Sequence, residues 1–104
     1  MAKAIHTMIR VFDLDRSREF YEIALGLTVA DHFDFDGFSL TYLRNDEADF
    51  EIELTHNKGQ SDPYTHGDGY GHVAVCVDDV GAERERITGL GIEAGDIKIG
   101  RAHV

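Results

Sequence analysis

The chain has 104 residues, with Lys+Arg 10 against Asp+Glu 20 and a net charge of −10. That length allows one small domain, and 42% hydrophobic with 29% charged residues is a globular rather than a disordered composition. The acid excess disfavours nucleic-acid and anionic-membrane partners, no apolar run reaches bilayer length, and MAKAIHTMIRVFDLD lacks a signal-peptide core, so a cytoplasmic location is expected.

Residues 5–12 (IHTMIRVF) read as a strand. Ile5, Thr7, Ile9 and Val11 share one face, suited to packing under a helix. His6, Met8 and Arg10 share the other, which would face a cleft. Asp13 or Asp15 is a suitable N-cap for a helix over 14–25, with Leu14, Phe20, Tyr21, Ala24 and Leu25 as its apolar stripe and Gly26 as its stop.

Three strands are expected next, at about 27–35, 38–44 and 49–56. Asp36-Gly37 is a hairpin signal between the first two, and Asn45-Asp46-Glu47 is a turn cluster before the third. In the third, Phe50, Ile52 and Leu54 alternate with Glu51, Glu53 and Thr55, so one face is apolar and the other carries carboxylates. Residues 57–69 (NKGQSDPYTHGDG) hold the only proline and read as a linker. GHVAVCV (71–77) then predicts another strand, Asp78-Asp79 a cap, 80–90 a helix, and Gly91 its stop. Cys76, the single cysteine, has no intrachain partner and is expected as a small core residue of that strand.

The halves resemble each other. His6, Val11 and Asp13 recur as His72, Val77 and Asp79, and the helices end in Leu25-Gly26-Leu27 and Leu90-Gly91-Ile92. A repeat of this kind predicts an α+β fold built on a duplicated βαβββ unit, with an incomplete second module. One domain over 1–98 is expected, with a first module at about 5–57, the linker at 57–69 and a partial second module at 70–98. IGRAHV (99–104) reads like one frame of a sequencing-adapter DNA, so it is expected to be a non-native tail, and His103 is set aside from site reasoning.

His6, Glu53 and His72 are the candidates for chemistry. The histidines hold matching positions at the starts of repeated strands, and Glu53 lies on the non-apolar face of its own. Imidazoles and a carboxylate suit Zn²⁺, Ni²⁺, Co²⁺, Fe²⁺ or Mn²⁺. Spacing alone leaves both readings open, a ligand set or hydrogen-bonded surface side chains. Glu51 reads as a solvated neighbour.

HTMIRV (6–11), REFYEIALGL (18–27), FEIELTHN (50–57) and YGHVAVCVDDV (70–80) resemble the glyoxalase I (lactoylglutathione lyase) family of the vicinal oxygen chelate superfamily. The resemblance runs from about residue 5 to 97. It implies paired βαβββ modules and a divalent metal, nickel or zinc, held by His6, Glu53 and His72. It also implies that Arg10 and Asn57 hold the γ-glutamyl end of glutathione. Arg10 shares the cleft-facing side of His6, and a guanidinium suits a carboxylate. The implied reaction isomerises the hemithioacetal of methylglyoxal and glutathione to S-D-lactoylglutathione. In it a metal stabilises an enediolate and a carboxylate, here Glu53, moves a proton between carbons. A homodimer, with sites built from both chains, is the family's usual assembly.

The chain departs from the family pattern in two respects. The family's fourth ligand and main proton-transfer base, a glutamate in a late strand of the second module, has no counterpart here, and Glu93 precedes the break. A C-terminally truncated reading frame with a weakened three-ligand site and reduced catalysis is therefore expected. The tryptophan often found after the asparagine is Lys58. Alternatives are another superfamily enzyme, such as an epimerase or a ring-cleaving dioxygenase, a non-catalytic small-molecule binding module, or an inert remnant. HTMIRV with ELTHN speaks against the first, and the presence of His6, Glu53 and His72 against the second.

Overall fold

The computed structural model describes residues 1–98, and the tail expected to be non-native, 99–104, lies outside the described residues. The element order is β1 (His6–Arg10), α1 (Leu14–Leu25), β2 (Thr28–Asp34), β3 (Phe38–Arg44), β4 (Glu51–Asn57) and α2 (Val80–Gly89). The architecture is α+β, as the hydrophobic patterning predicts. The chain divides into two compact units, Met1–Thr65 and a second starting at His66, with the division inside the Gly- and Pro-bearing segment read as a linker.

In the first unit the strands form one sheet in the order β1-β4-β3-β2. β1 runs parallel to β4, whereas β4–β3 and β3–β2 are antiparallel. A parallel neighbour requires a crossover, and α1 supplies it. Its start is set locally: the Asp13 carboxylate accepts from the backbone N–H of Arg16 at 3.1 Å, capping a donor that the first turn leaves without a helical partner. Its end is set by Gly26 at φ 67°, a left-handed conformation that glycine adopts without a Cβ clash.

Strand alternation assigns the faces. Val11, Leu43, Ile52 and Leu54 form the buried core on one face, with Ile9, Leu14, Tyr21 and Leu27 packed against it. Leu54, at 0% exposed, sits in an interior strand of the sheet. His6, Met8, Arg10, Tyr42, Glu51, Glu53, Thr55 and Asn57 belong to the other face by register. A register shift between Val29 and Asp31 marks a β-bulge in the edge strand β2, a device common at sheet edges.

Lys58 closes the β2–β3 turn. Its ammonium lies 2.7 Å from the Asp34 carboxylate and donates to the Phe35 carbonyl, while its backbone N–H donates to the Gly37 carbonyl at 3.0 Å. The hydrogen bond and charge of Lys58 hold the Asp34 carboxyl below its ordinary value of 3.8. A depressed carboxylate stabilises the fold above its unfolded-state value, and that contribution is lost as pH falls through the lowered folded-state value. Asp34→Asn is therefore expected to destabilise slightly at neutral pH, because the pair is exposed. The difference from the parent should shrink below the ordinary carboxylate range and vanish in stronger acid. Urea denaturation at a series of pH values checks this; a constant difference down to the acid limit would contradict it.

The second unit contains α2, capped by Asp79, whose carboxylate accepts from the N–H of Ala82 at 3.0 Å. Arg86 pairs with Glu83 one turn away at 2.8 Å, and Gly91 follows the helix at φ 82°. Two expectations are corrected here. Residues 71–77 form no strand among the described residues. An apolar β-branched run becomes a strand only when a neighbour completes its hydrogen bonds, and the described part of this unit contains no other strand. For the same reason Cys76, expected in a core, is exposed. No helix among the described residues is long and apolar enough to cross a membrane.

Candidate metal and substrate site

The site forms on the sheet face opposite the α1 core, where β1, β4 and β3 lie side by side. In the ladder His6 stands level with Glu51, and Met8 with Glu53. The His6 ring reaches diagonally across this parallel pair, and its Nε2 lies 3.2 Å from Glu53 Oε1. On the other side of β4, Tyr42 stands directly opposite Glu53 on the same face. The His6 and Tyr42 rings meet at a centroid distance of 5.6 Å and an interplanar angle of 80°, an edge-to-face geometry.

Glu53 is 8% exposed. A carboxylate buried to that degree needs a partner to offset its lost hydration, and His6 supplies one. Burial pushes the Tyr42 phenol above its ordinary value of 10.0, and the adjacent Glu53 carboxylate pushes the same way, with smaller contributions from Glu51 and Asp31. Glu51 itself pairs with Arg44, with Nε to Oε2 at 3.4 Å.

The donor spacing suits a divalent cation. Metal–nitrogen and metal–oxygen bonds of about 2.0–2.2 Å place neighbouring donors roughly 3–3.5 Å apart, the range in which His6 Nε2 and Glu53 Oε1 already lie. An imidazole facing a carboxylate is also the donor chemistry of borderline first-row metals. His72 belongs to the second unit, where it is exposed. Among the described residues no group of three or more His, Cys, Asp or Glu side chains gathers as a complete metal site. The structure thus brings together His6 and Glu53 of the expected ligand set within the first unit.

Arg10 and Asn57 extend the same face. Arg10 stands level with Thr55, and Asn57 is at the end of β4. The Asn57 amide donates to the Tyr64 hydroxyl at 3.0 Å. Arg10 is exposed and has no carboxylate partner among the described residues. From Glu53 to Asn57 the strand covers about 13 Å at roughly 3.3 Å per residue, a length that accommodates a tripeptide lying along it. A shallow depression of about 390 Å³ lined by Phe12, Asp13, Leu14, Asp15 and His56 lies elsewhere. His56 alternates with Glu53 along β4, so this hollow is not part of the carboxylate face.

Tyr42 and Tyr64 are the members of this face that sequence reading did not single out. The alternation of FSLTYLR over 38–44 groups Tyr42 with Phe38, Leu40 and Arg44. Only the β3–β4 register sets it against Glu53.

Comparison with known proteins gives a consistent picture. Residues 3–98 match the Glyoxalase/Bleomycin resistance protein/Dioxygenase superfamily. The chain is 42% identical over 105 residues to the lactoylglutathione lyase of Haemophilus influenzae, covering 92% of this chain and 76% of the relative. It is 39% identical over 106 residues to the lactoylglutathione lyase of Neisseria meningitidis, covering 94% and 76%. Among solved structures, the trypanothione-dependent glyoxalase I of Leishmania major superposes with a TM-score of 0.79 at 35% identity, over 93% of this chain and 73% of that one.

Proposed function

Since this chain belongs to the Glyoxalase/Bleomycin resistance protein/Dioxygenase superfamily, we propose that it is a lactoylglutathione lyase, a glyoxalase I. It converts the hemithioacetal of methylglyoxal and glutathione to S-D-lactoylglutathione and so detoxifies methylglyoxal. The relatives named lactoylglutathione lyase carry the reaction class. The observation that carries the site is the buried Glu53 facing His6 at a donor spacing that suits a cation.

The family implies a divalent metal. His6 and Glu53 would hold it, with His72 as the third donor, and the donor set suits nickel or zinc. When bound, such a cation supplies positive charge where adjacent substrate oxygens become negative during the reaction. The other steps belong to the chain's own side chains. Glu53 moves the proton from one carbon of the hemithioacetal to its neighbour, the work of a general base and then a general acid. Arg10 pairs with the γ-glutamyl carboxylate of glutathione, and Asn57 hydrogen-bonds the same end, so the thiol adduct lies along the strand with its reactive carbons toward Glu53.

A homodimer belongs to this reading. Met8, Phe33 and Phe38 are exposed on the face that carries the site, and a partner that covers them would exclude water from the reacting carbons. The net charge of −10 leaves nucleic acid and anionic membrane surfaces as poor partners. We place the protein in the cytoplasm, where an exposed thiol such as Cys76 stays reduced.

The test is metal-dependent turnover. The full chain is stripped with chelator, reloaded with Ni²⁺ or Zn²⁺, and given preformed hemithioacetal while thioester absorbance is followed. The expected result is conversion that chelator abolishes and one of the metals restores. Conversion that chelator leaves unchanged would reject the metal-dependent lyase reading.

A further inference from the structure

We infer that Tyr42 is a positioning residue for the candidate metal donors, holding the His6 imidazole through its ring and standing directly against Glu53. The inference rests on the metal reading above, and it concerns a residue outside the ligand and thiol-binding set.

The geometry is a row of rings across the sheet. Phe33 of β2 meets Tyr42 of β3 edge-to-face at 6.1 Å and 83°. Tyr42 in turn meets His6 of β1 at 5.6 Å and 80°. β4 lies between β3 and β1, so β3 and β1 are about 9–10 Å apart at two inter-strand spacings. The Tyr42 and His6 rings therefore meet above β4, at the level of Glu53, which explains why a carboxylate on an otherwise open sheet face is 8% exposed. Phe33 backs Tyr42 from the far side and limits the positions its ring can take.

The register makes this contact possible. Tyr42 and Glu53 are directly opposed in the antiparallel pair, where Cβ atoms lie about 4.5–5.5 Å apart and side chains on the same face interact strongly. The phenol is a rigid ring, so its contact with the His6 ring restricts imidazole rotation without adding charge. Oriented ligands lose less conformational freedom on binding a cation. Removing a group that holds a ligand in place typically lowers metal affinity about 10–100-fold.

The test uses the full chain with Co²⁺ as probe, and compares the parent with Tyr42→Phe and Tyr42→Leu. Calorimetric titration reads affinity, the visible cobalt bands read ligand geometry, and thermal denaturation reads the fold. The Phe variant keeps the ring contacts with His6 and Phe33 and loses only the hydroxyl. It is expected to keep its melting temperature within a few degrees and to bind Co²⁺ with near-parental affinity. The Leu variant, which loses the ring contact with His6, is expected to bind Co²⁺ about 10-fold more weakly and to show an altered cobalt spectrum. A merely structural Tyr42 would change the melting temperature while leaving affinity and spectrum at parental values, and that result overturns the inference while the metal reading stands. A parent chain that binds no Co²⁺ overturns both.

Discussion

Glu53→Gln is expected to lower divalent-metal affinity by at least about 100-fold, more than loss of a group that merely orients a ligand. It is also expected to slow hemithioacetal conversion by about 10²–10⁴, the usual contribution of a positioned acid–base group. The fold should survive. Gln is nearly isosteric, and its amide oxygen can keep a polar contact with the His6 ring. What it lacks is the negative charge and the paired anionic oxygens that face His6. Glu53→Ala is expected to do the same to metal binding and also to destabilise, because it leaves the His6 ring without the carboxylate it now faces. Calorimetric Ni²⁺ titration alongside thermal denaturation separates the two. Parental Ni²⁺ affinity in a folded Gln variant would remove Glu53 from the ligand set.

Leu54→Ala carries the largest expected effect on stability. Leu54 is fully buried and packs with Val11, Leu43 and Ile52 in the core of the first unit. Large-to-small changes at such positions cost about 2–5 kcal/mol, because the cavity left behind closes only partly. Small domains have only about 5–15 kcal/mol in total. At about 4–8 °C per kcal/mol for a domain of this size, the melting temperature should fall on the order of 10–30 °C. Because Leu54 alternates with Glu53 along β4, the loss would also loosen the strand that carries the carboxylate. Circular dichroism melts measure this, and a shift of less than about 5 °C would mean that the core reading of β4 is wrong.

Local features were legible where the chemistry that causes them is local. The cap Asp13, the stop Gly26 and the helix between them follow from side-chain hydrogen bonding and φ preference within a few residues. The Asp36-Gly37 turn and the alternation of Ile52 and Leu54 with Glu53 and Thr55 are equally short-range. Together they placed Glu53, His6 and Arg10 on the polar face of their strands. The strand expected over 71–77 failed for the complementary reason. Its residues have the right pattern, but a ladder is completed by a second chain segment, and pattern carries no information about whether that segment is there.

From sequence alone came the α+β class, the boundaries of α1 and β3, the acidic surface and the family resemblance. The tertiary structure decided which side chains meet. His6 and Glu53 are 47 positions apart and come to 3.2 Å because β1 pairs parallel to β4 in one register. Tyr42 joins them because β3 pairs antiparallel to β4 in another. Shifting either register by one residue would turn the same side chains to opposite faces. Register is set by the summed packing of Val11, Leu43, Ile52 and Leu54 against α1, a cooperative property of the folded unit that no single stretch of sequence contains.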